Sequence, residues 1–401
     1  MEERVKSMKK IRAFIKAMVV LGYKIMAKAL PVSKNIVVFN SSMGMNYTGN
    51  PRYIYEKIVE LGLDKKWKCI WFFENGNTKI PGNGRVVVYG RIKYLYYMAI
   101  AKAWVFDCRQ PEFLIKRKQV CYIQTWHGTP LKKLAADMED VFMVEGKDIE
   151  AYRKGFLDNA QSWDYLISQN PFSTTVFRRA FGFQKQMIET GYPRNDILFS
   201  YNNGATIQQL KKKLNLPLDK KVILYAPTWR DDEFYEQKKY KFNPKLDFHK
   251  MKEELSHEYV MVVKYHYLVQ DTIDWGPYKG FIYQCDKSYD ISCLYLVADQ
   301  LITDYSSVMF DYSILKRPMF FYAYDLENYK NNLRGFYFDL LEEAPGPISL
   351  TTEQLIQQIK EYQQEEYEEK YSAFSRKYNP FDDGHASEQV IEILKGQIEE
   401  V

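Results

Sequence analysis

The chain alternates short apolar runs with helix-length amphipathic segments, and this alternation constrains its fold more than any other feature. Apolar-rich runs fall at residues 35–40, 68–73, 85–89, 104–107, 119–124 and 165–168. They resume at 221–225, 259–264, 280–283, 300–303 and 317–322. Helical periodicity lies between them at 51–61, 91–101 and 171–181. Runs this short, bounded by turn residues, read as buried strands, and strands alternating with helices imply parallel βαβ units. The fold class predicted is α/β, with two doubly wound parallel sheets. Residues 200–220 break the rhythm with Asn202-Asn203-Gly204, the run Lys211–Lys213 and Pro217. The chain is thus expected to divide into a first domain at 34–202 and a second at 203–401. Residues from about 352 onward read as helical, and the terminal helix is placed to pack back on the first domain. Ligands of such sheets sit beyond the C-terminal strand ends, and pockets favour domain interfaces, so a central cleft fed by both sheets is the expected site.

Residues 1–33 stand apart. They hold eight Lys/Arg against Glu2 and Glu3, a net +6, within a chain whose formal charge is +5. The other 368 residues therefore sum to −1, which argues against a nucleic-acid-binding surface. Residues 5–30 interleave the cations, Lys9, Lys10, Arg12 and Lys16 among them, with Ile11, Phe14, Ile15, Met18 and Ile25. That pattern is a basic amphipathic helix, suited to an anionic membrane interface or to docking on its own domain with a solvated basic face. No apolar run approaches the ~20 residues needed to span a bilayer, and charges interrupt any signal-peptide pattern. The five cysteines show neither CxxC pairs nor His at zinc spacing, so they read as reduced, buried thiols. GxGxxG is absent, so no dinucleotide is expected; no cofactor and no metal site is predicted.

Four stretches carry candidate chemistry. Asp299–Asp311 reads as a strand, a hydroxyl-rich turn and a helix start. Thr303, Ser306 and Ser307 there suit a phosphate at a helix N-terminus, and equally suit a capped core helix, while Asp304 and Asp311 are placed to anchor the donor-side loop or a substrate hydroxyl. Gln124–Leu131 ends a strand. Thr129-Pro130 is a helix-start signal, which would place His127 before a positive dipole end and keep its imidazole neutral and able to accept a proton. Gly128 would admit substrate close to the backbone. Lys264-Tyr-His266 ends another strand and suits a diphosphate, or a surface Lys beside a packed His. Tyr225–Asp232 offers Thr228, Trp229 and Arg230 to a nucleotide, while Asp231-Asp232 reads better as a solvated turn than as a metal site. Arg334-Gly-Phe-Tyr-Phe338 and Asp382–Ser387, with His385 and Ser387, are weaker anion candidates. The turn-rich loop 41–50 puts Ser41, Ser42 and Asn50 on the acceptor side with Gly128. Taken together, these groups suggest transfer from a nucleotide-diphosphate donor by attack of an acceptor hydroxyl.

As a set and in order, Gln124–Leu131, Gly191-Tyr-Pro-Arg-Asn-Asp196, Tyr225–Asp231, Thr303–Ser307 with Asp311, and Arg334–Phe338 resemble the CDP-glycerol glycerophosphotransferase family of Gram-positive teichoic acid synthesis. The resemblance covers roughly residues 35–390. It implies a GT-B-like fold and a peripheral enzyme on the cytoplasmic face of the plasma membrane. The implied reaction transfers glycerol phosphate from CDP-glycerol to an undecaprenyl-diphosphate-linked saccharide and releases CMP, in the manner of a primase. By the resemblance His127 is the catalytic base, His266 a second catalytic histidine, and Thr303, Ser306 and Ser307 the diphosphate turn. His385 and Gln389 depart from the basic side chains expected in the last motif. A CDP-ribitol transferase or short-chain polymerase of the same family, a nucleotide-sugar glycosyltransferase of the same fold, and a non-enzymatic membrane scaffold remain as alternatives.

Overall fold

The computed structural model describes residues 2–139, 148–228, 234–236, 239–240, 245–264, 273–286, 289–326, 335–337 and 339–399. Side chains of 2–7, 9, 10, 234–236, 239–240 and 399 lie outside that description. Among the described residues the chain forms two parallel sheets with helices between the strands, a GT-B-like α/β fold.

Helix α1 (Glu2–Ala29) comes first. The first sheet then takes β1 (Ile36–Asn40), β2 (Lys68–Phe73), β3 (Arg85–Val88), β4 (Ala103–Phe106), β5 (Cys121–Gln124), β6 (Tyr165–Ser168) and β7 (Gln186–Glu189). Their order is β3-β2-β1-β4-β5-β6-β7, and β1 pairs in parallel with both β2 and β4. The second sheet takes β8 (Lys221–Ala226), β11 (Tyr259–Val263), β12 (Ile282–Gln284), β13 (Gln300–Thr303), β14 (Met319–Tyr322) and β15 (Ile348–Ser349). A small antiparallel pair, β9 (Phe234–Glu236) and β10 (Lys239–Tyr240), stands outside it. The second order is β12-β11-β8-β13-β14-β15, again parallel throughout. Both sheets therefore wind outward in two directions from a central strand, β1 in one and β8 in the other.

The strands are short because they are buried on both faces, and every residue of β1, β4, β5, β13 and β14 is buried. Aromatic rings do much of the filling. Trp71 stacks between Phe39 and Phe73, with centroids 5.3 and 5.4 Å away. Ile223, Tyr225, Met251, Met261, Ile302, Phe320 and Leu355 build the core beside the second sheet.

The chain divides into two compact units, residues 1–127, 161–167 and 387–401 in one and 128–160 and 168–386 in the other. The sheets themselves part between Glu189 and Lys221. The compact units part earlier, just after His127, because the following residues bond into the second unit. Asn170 Nδ2, for instance, donates to the Tyr378 carbonyl at 2.8 Å. The segment 200–220 is not a bare linker: the helix Gly204–Lys213 fills it, capped by Asn203, whose side chain accepts from the Thr206 N–H. In the first unit α1 docks through Tyr23 and Ala27, each 1% exposed. Its large apolar side chains Met8, Ile11, Phe14, Ile15, Met18, Val19, Leu21 and Ile25 are 45–67% exposed.

Candidate active site

Strands whose connections leave in opposite directions open a crevice at their C-terminal ends. In the second sheet that place is the end of β8 beside the end of β13. Thr303 Oγ1 donates to the Ala226 carbonyl at 2.8 Å, and Asp304 Oδ1 accepts the Thr228 N–H at 2.8 Å. These two side chains, both buried, clamp the strand ends together. Tyr305 is buried and donates to Asp325 Oδ1 at 2.8 Å. Ser306 and Ser307 are half-buried at the rim, which is where a ligand group would meet hydroxyls, while the Thr228 hydroxyl is turned inward and buried. The helix that follows, Val308–Tyr312, is a single turn, and the Ser307 side chain does not cap it.

Lys264 follows β11 directly. Its ammonium donates to the carbonyls of Asp286 at 2.9 Å and Tyr289 at 2.8 Å, and burial lowers its pKa. The lysine expected at the diphosphate thus also ties Asp286 and Tyr289 to its strand end. His266, Arg230, Arg334 and Asp231-Asp232 lie outside the described residues.

In the first sheet the reversal lies between β1 and β4. The Asp107 carboxylate accepts the Ser42 N–H at 3.0 and 3.2 Å, and Ser41 Oγ donates to the Asn46 carbonyl at 2.6 Å. The turn this holds is left-handed at Ser42 and Met43, with φ of 48° and 55°. Asn50, buried, donates to the carbonyls of Thr125 and Trp126, each at 3.0 Å. It therefore braces the turn leading into His127. Trp126 adopts φ 50°, and its ring stacks on the His127 imidazole, centroids 4.4 Å apart. His127 is exposed.

The helix expected from Thr129-Pro130 does not form. Residues 131–133 are extended instead. The Lys133 N–H donates to the Gly335 carbonyl and the Tyr337 N–H to the Leu131 carbonyl, both at 3.0 Å, and Lys132 bridges Phe336. Thr129 Oγ1 is drawn into a side-chain cluster rather than a cap. It donates to Gln169 Oε1 at 2.6 Å and accepts from Asn170 Nδ2 at 3.0 Å. No helix N-terminus therefore follows His127 here.

Sequence reading misses the cluster beyond Thr129. Gln169 Nε2 donates to Asp382 Oδ2 at 2.9 Å and to Asp311 Oδ1 at 3.3 Å. Asn195 Nδ2 also donates to both, to Asp311 Oδ1 at 3.0 Å and to Asp382 Oδ1 at 3.1 Å. Arg194 Nη2 pairs with Asp311 Oδ2. The Tyr192 N–H donates to Asp382 Oδ1 at 3.1 Å. Burial pushes the Asp382 carboxyl up to about 7, against the pull of the Gln169, Asn195 and Tyr192 donors. Asp311 is 1% exposed and serves Arg194 and two amides, the anchoring role that its place after the turn allowed. The motif Gly191–Asp196 becomes legible here. Gly191 takes φ +76°, and a Cβ on it would sit 2.7 Å from Asp382 Oδ1; Asp196 Oδ1 accepts the Ala386 N–H at 3.1 Å. Gly128 has a parallel reason: a Cβ there would lie 2.8 Å from Ser307 Oγ and 3.6 Å from Arg194 Nη2. The loop after His127 thus rests on the turn after β13. His385 is exposed and its N–H donates to Asp383 Oδ1 at 2.9 Å, while Ser387 is buried at the start of the terminal helix Ala386–Glu399.

A family model, CDP-glycerol:poly(glycerophosphate) glycerophosphotransferase, matches residues 23–396. A teichoic acid poly(glycerol phosphate) polymerase of Bacillus subtilis strain 168 is 45% identical over 96% of the chain, which spans 52% of that relative. A teichoic acid glycerol-phosphate transferase of Staphylococcus aureus strain NCTC 8325 is 40% identical over 96% of this chain and 98% of its own. The solved wall teichoic acid polymerase TagF superposes with TM-score 0.90 at 38% identity, over 98% of this chain and 97% of that one. Its histidine-to-asparagine variant soaked with CDPG gives the same TM-score. The chain belongs to the CDP-glycerol:poly(glycerophosphate) glycerophosphotransferase family.

Proposed function

We propose that this chain transfers glycerol phosphate from CDP-glycerol to a hydroxyl of a lipid-linked acceptor and releases CMP. The acceptor hydroxyl gives its proton to His127 as its oxygen attacks the phosphorus that carries glycerol. The bond from that phosphorus to the bridging oxygen breaks, and CMP leaves with the electron pair. The rim hydroxyls of Ser306 and Ser307, with the Thr228 backbone, His266 and Arg230, receive the diphosphate, and Lys264 shapes the neighbouring loop. Positioning and charge stabilisation supply most of the acceleration. The observation that carries this reading is the close approach of the Gly128 backbone, next to His127, to Ser307, whose Oγ would lie 2.8 Å from a Cβ on that glycine.

Identity favours glycerol over ribitol: the ribitol-phosphate relatives reach 29–30%. It also favours repeated addition over the priming step expected from sequence, since a glycerol-phosphate primase of Bacillus subtilis reaches 33% over 77% of the chain. The exposed apolar side chains of α1, among Arg12 and Lys16, support seating in an anionic interface; among the described residues no helix is long and apolar enough to cross a membrane. Mass spectrometry of the product from CDP-glycerol and a synthetic prenyl-diphosphate disaccharide tests the assignment. A ladder spaced by glycerol phosphate supports polymerisation, and a single addition supports priming. No addition from CDP-glycerol, with transfer from CDP-ribitol or a UDP-sugar, would refute the donor.

A further inference from the structure

We propose that Arg194, Asp311 and Asp382, joined by the amides of Gln169 and Asn195, are positioning residues that hold the Gly128 backbone against the Ser307 hydroxyl. Through Gly128 they set where the preceding imidazole begins. The inference rests on the reading of His127 as the base.

Three features of the cluster point this way. First, Asp311 lies four residues after Ser307, so one helical turn puts both side chains on one face. Ser307 meets Gly128, Asp311 takes the Arg194 guanidinium, and Arg194 Nη2 returns to within 3.6 Å of where a Gly128 Cβ would stand. The contacts close a ring around Gly128. Second, Gln169 reaches the other side of the same loop. Its Nε2 serves Asp311 and Asp382, and its Oε1 accepts from Thr129, the residue after Gly128. One amide thus couples both carboxylates to the loop. Third, the arrangement is a poor means of folding. A guanidinium and a carboxylate, 8% and 1% exposed, lose hydration that apolar side chains of the same volume would not, so such clusters contribute through geometry more than stability. The Arg194 plane is fixed further by the Tyr192 ring, whose centroid is 5.2 Å away, and Tyr192 is anchored through its N–H to Asp382. With Arg194 and Asp311 buried in this way, their effect on the reaction passes through Gly128 and Ser307.

The test compares Arg194→Met, Arg194→Lys and Asp311→Asn with the wild-type chain, well below each melting temperature. Lysine keeps the charge and loses the planar fork, and asparagine keeps the shape and loses the charge. Amide hydrogen exchange without substrate should accelerate at least about tenfold over residues 126–131 in Arg194→Met, while β8 and β11 keep their protection. With CDP-glycerol and the lipid acceptor, kcat should fall about 100-fold, as for a displacement near ~1 Å, with KM for CDP-glycerol within about threefold. Arg194→Lys should recover part of both. Unchanged exchange at 126–131 in a folded variant, or a loss shared equally by β8 and β11, would overturn the proposal. If Arg194→Met does not fold, Arg194→Lys and Asp311→Asn carry the same readouts. Exchange is blind to the role of His127. Faster exchange at 126–131 beside normal turnover by His127→Ala would leave the hub standing and remove the base.

Discussion

Replacing Asp382 with asparagine should make the protein more stable at alkaline pH and leave it no better at acid pH. The wild-type carboxyl is raised by burial to about 7 from an ordinary 3.8. A raised acid pKa means that the folded state keeps a proton the unfolded state has released. The stabilisation is therefore complete below the unfolded value and is lost as pH rises through the folded one. The loss runs at about 1.4 kcal/mol per pH unit between those values, on the order of 2 kcal/mol by pH 5 and about 4 kcal/mol above pH 7. An asparagine side chain would avoid this charge but would turn its own NH2 towards Gln169 Nε2, costing about 1–2 kcal/mol at any pH. Calorimetric melting of wild type and Asp382→Asn at pH 5 and pH 8 compares the two. The variant should melt at or slightly below wild type at pH 5. Its relative Tm should rise by about 5–10 °C on going to pH 8, at ~2–4 °C per kcal/mol for a unit of this size. A difference in Tm that does not change with pH would refute the argument, because no proton would then be bound by Asp382 in the folded state alone.

Gly128→Ala adds backbone strain at φ +158° to a clash with the Ser307 side chain and should lose about 100-fold in kcat as the loop shifts; normal turnover would mean that the approach to Ser307 is not needed. Lys264→Met strips two carbonyls of a charged donor and should cost about 2–3 kcal/mol in urea unfolding; an unchanged midpoint would show the tie to Asp286 and Tyr289 to be idle. Changing Ile11, Phe14 and Ile15 together to serine should weaken sedimentation with anionic vesicles by at least about 100-fold, given ~1 kcal/mol or more of lost burial per side chain. It leaves Tyr23 and Ala27 docked, which truncation of the whole helix would not, and unchanged binding would place the membrane contact elsewhere.

Strands are legible because a strand buried on both faces is mostly apolar: residues 68–73, 165–168 and 300–303 match the sequence reading to the residue. The turn after β13 is legible for the same reason, its hydroxyls being anomalous at the end of such a run. Local signals fail where distant partners override them. Thr129-Pro130 carries a genuine helix-start pattern, but Gly335–Tyr337, some two hundred residues on, takes the backbone of 131–133 into a bridge. The helix Gly204–Lys213 is hidden because Asn202-Asn203-Gly204 and the lysine run read as a break, though Lys211 is buried and donates to the Lys220 carbonyl at 3.1 Å. The Arg194–Asp311–Asp382 cluster is illegible for a stronger reason. Arg194 and Asp311 lie 117 residues apart, and Asn195 and Asp382 lie 187 apart. Nothing local distinguishes Asp311 as a brace from Asp311 as a ligand. Only the glycine at 191, left-handed and pressed against Asp382, carries a trace of the cluster in the sequence.

Single-turnover release of CMP from CDP-glycerol by His127→Ala, with the lipid acceptor present and the melting profile unchanged, bears most directly on the central claim. The account predicts a chemical step slowed by at least about 1,000-fold, within the range that general base catalysis supplies, with CDP-glycerol still bound. Release at near the wild-type rate would contradict it.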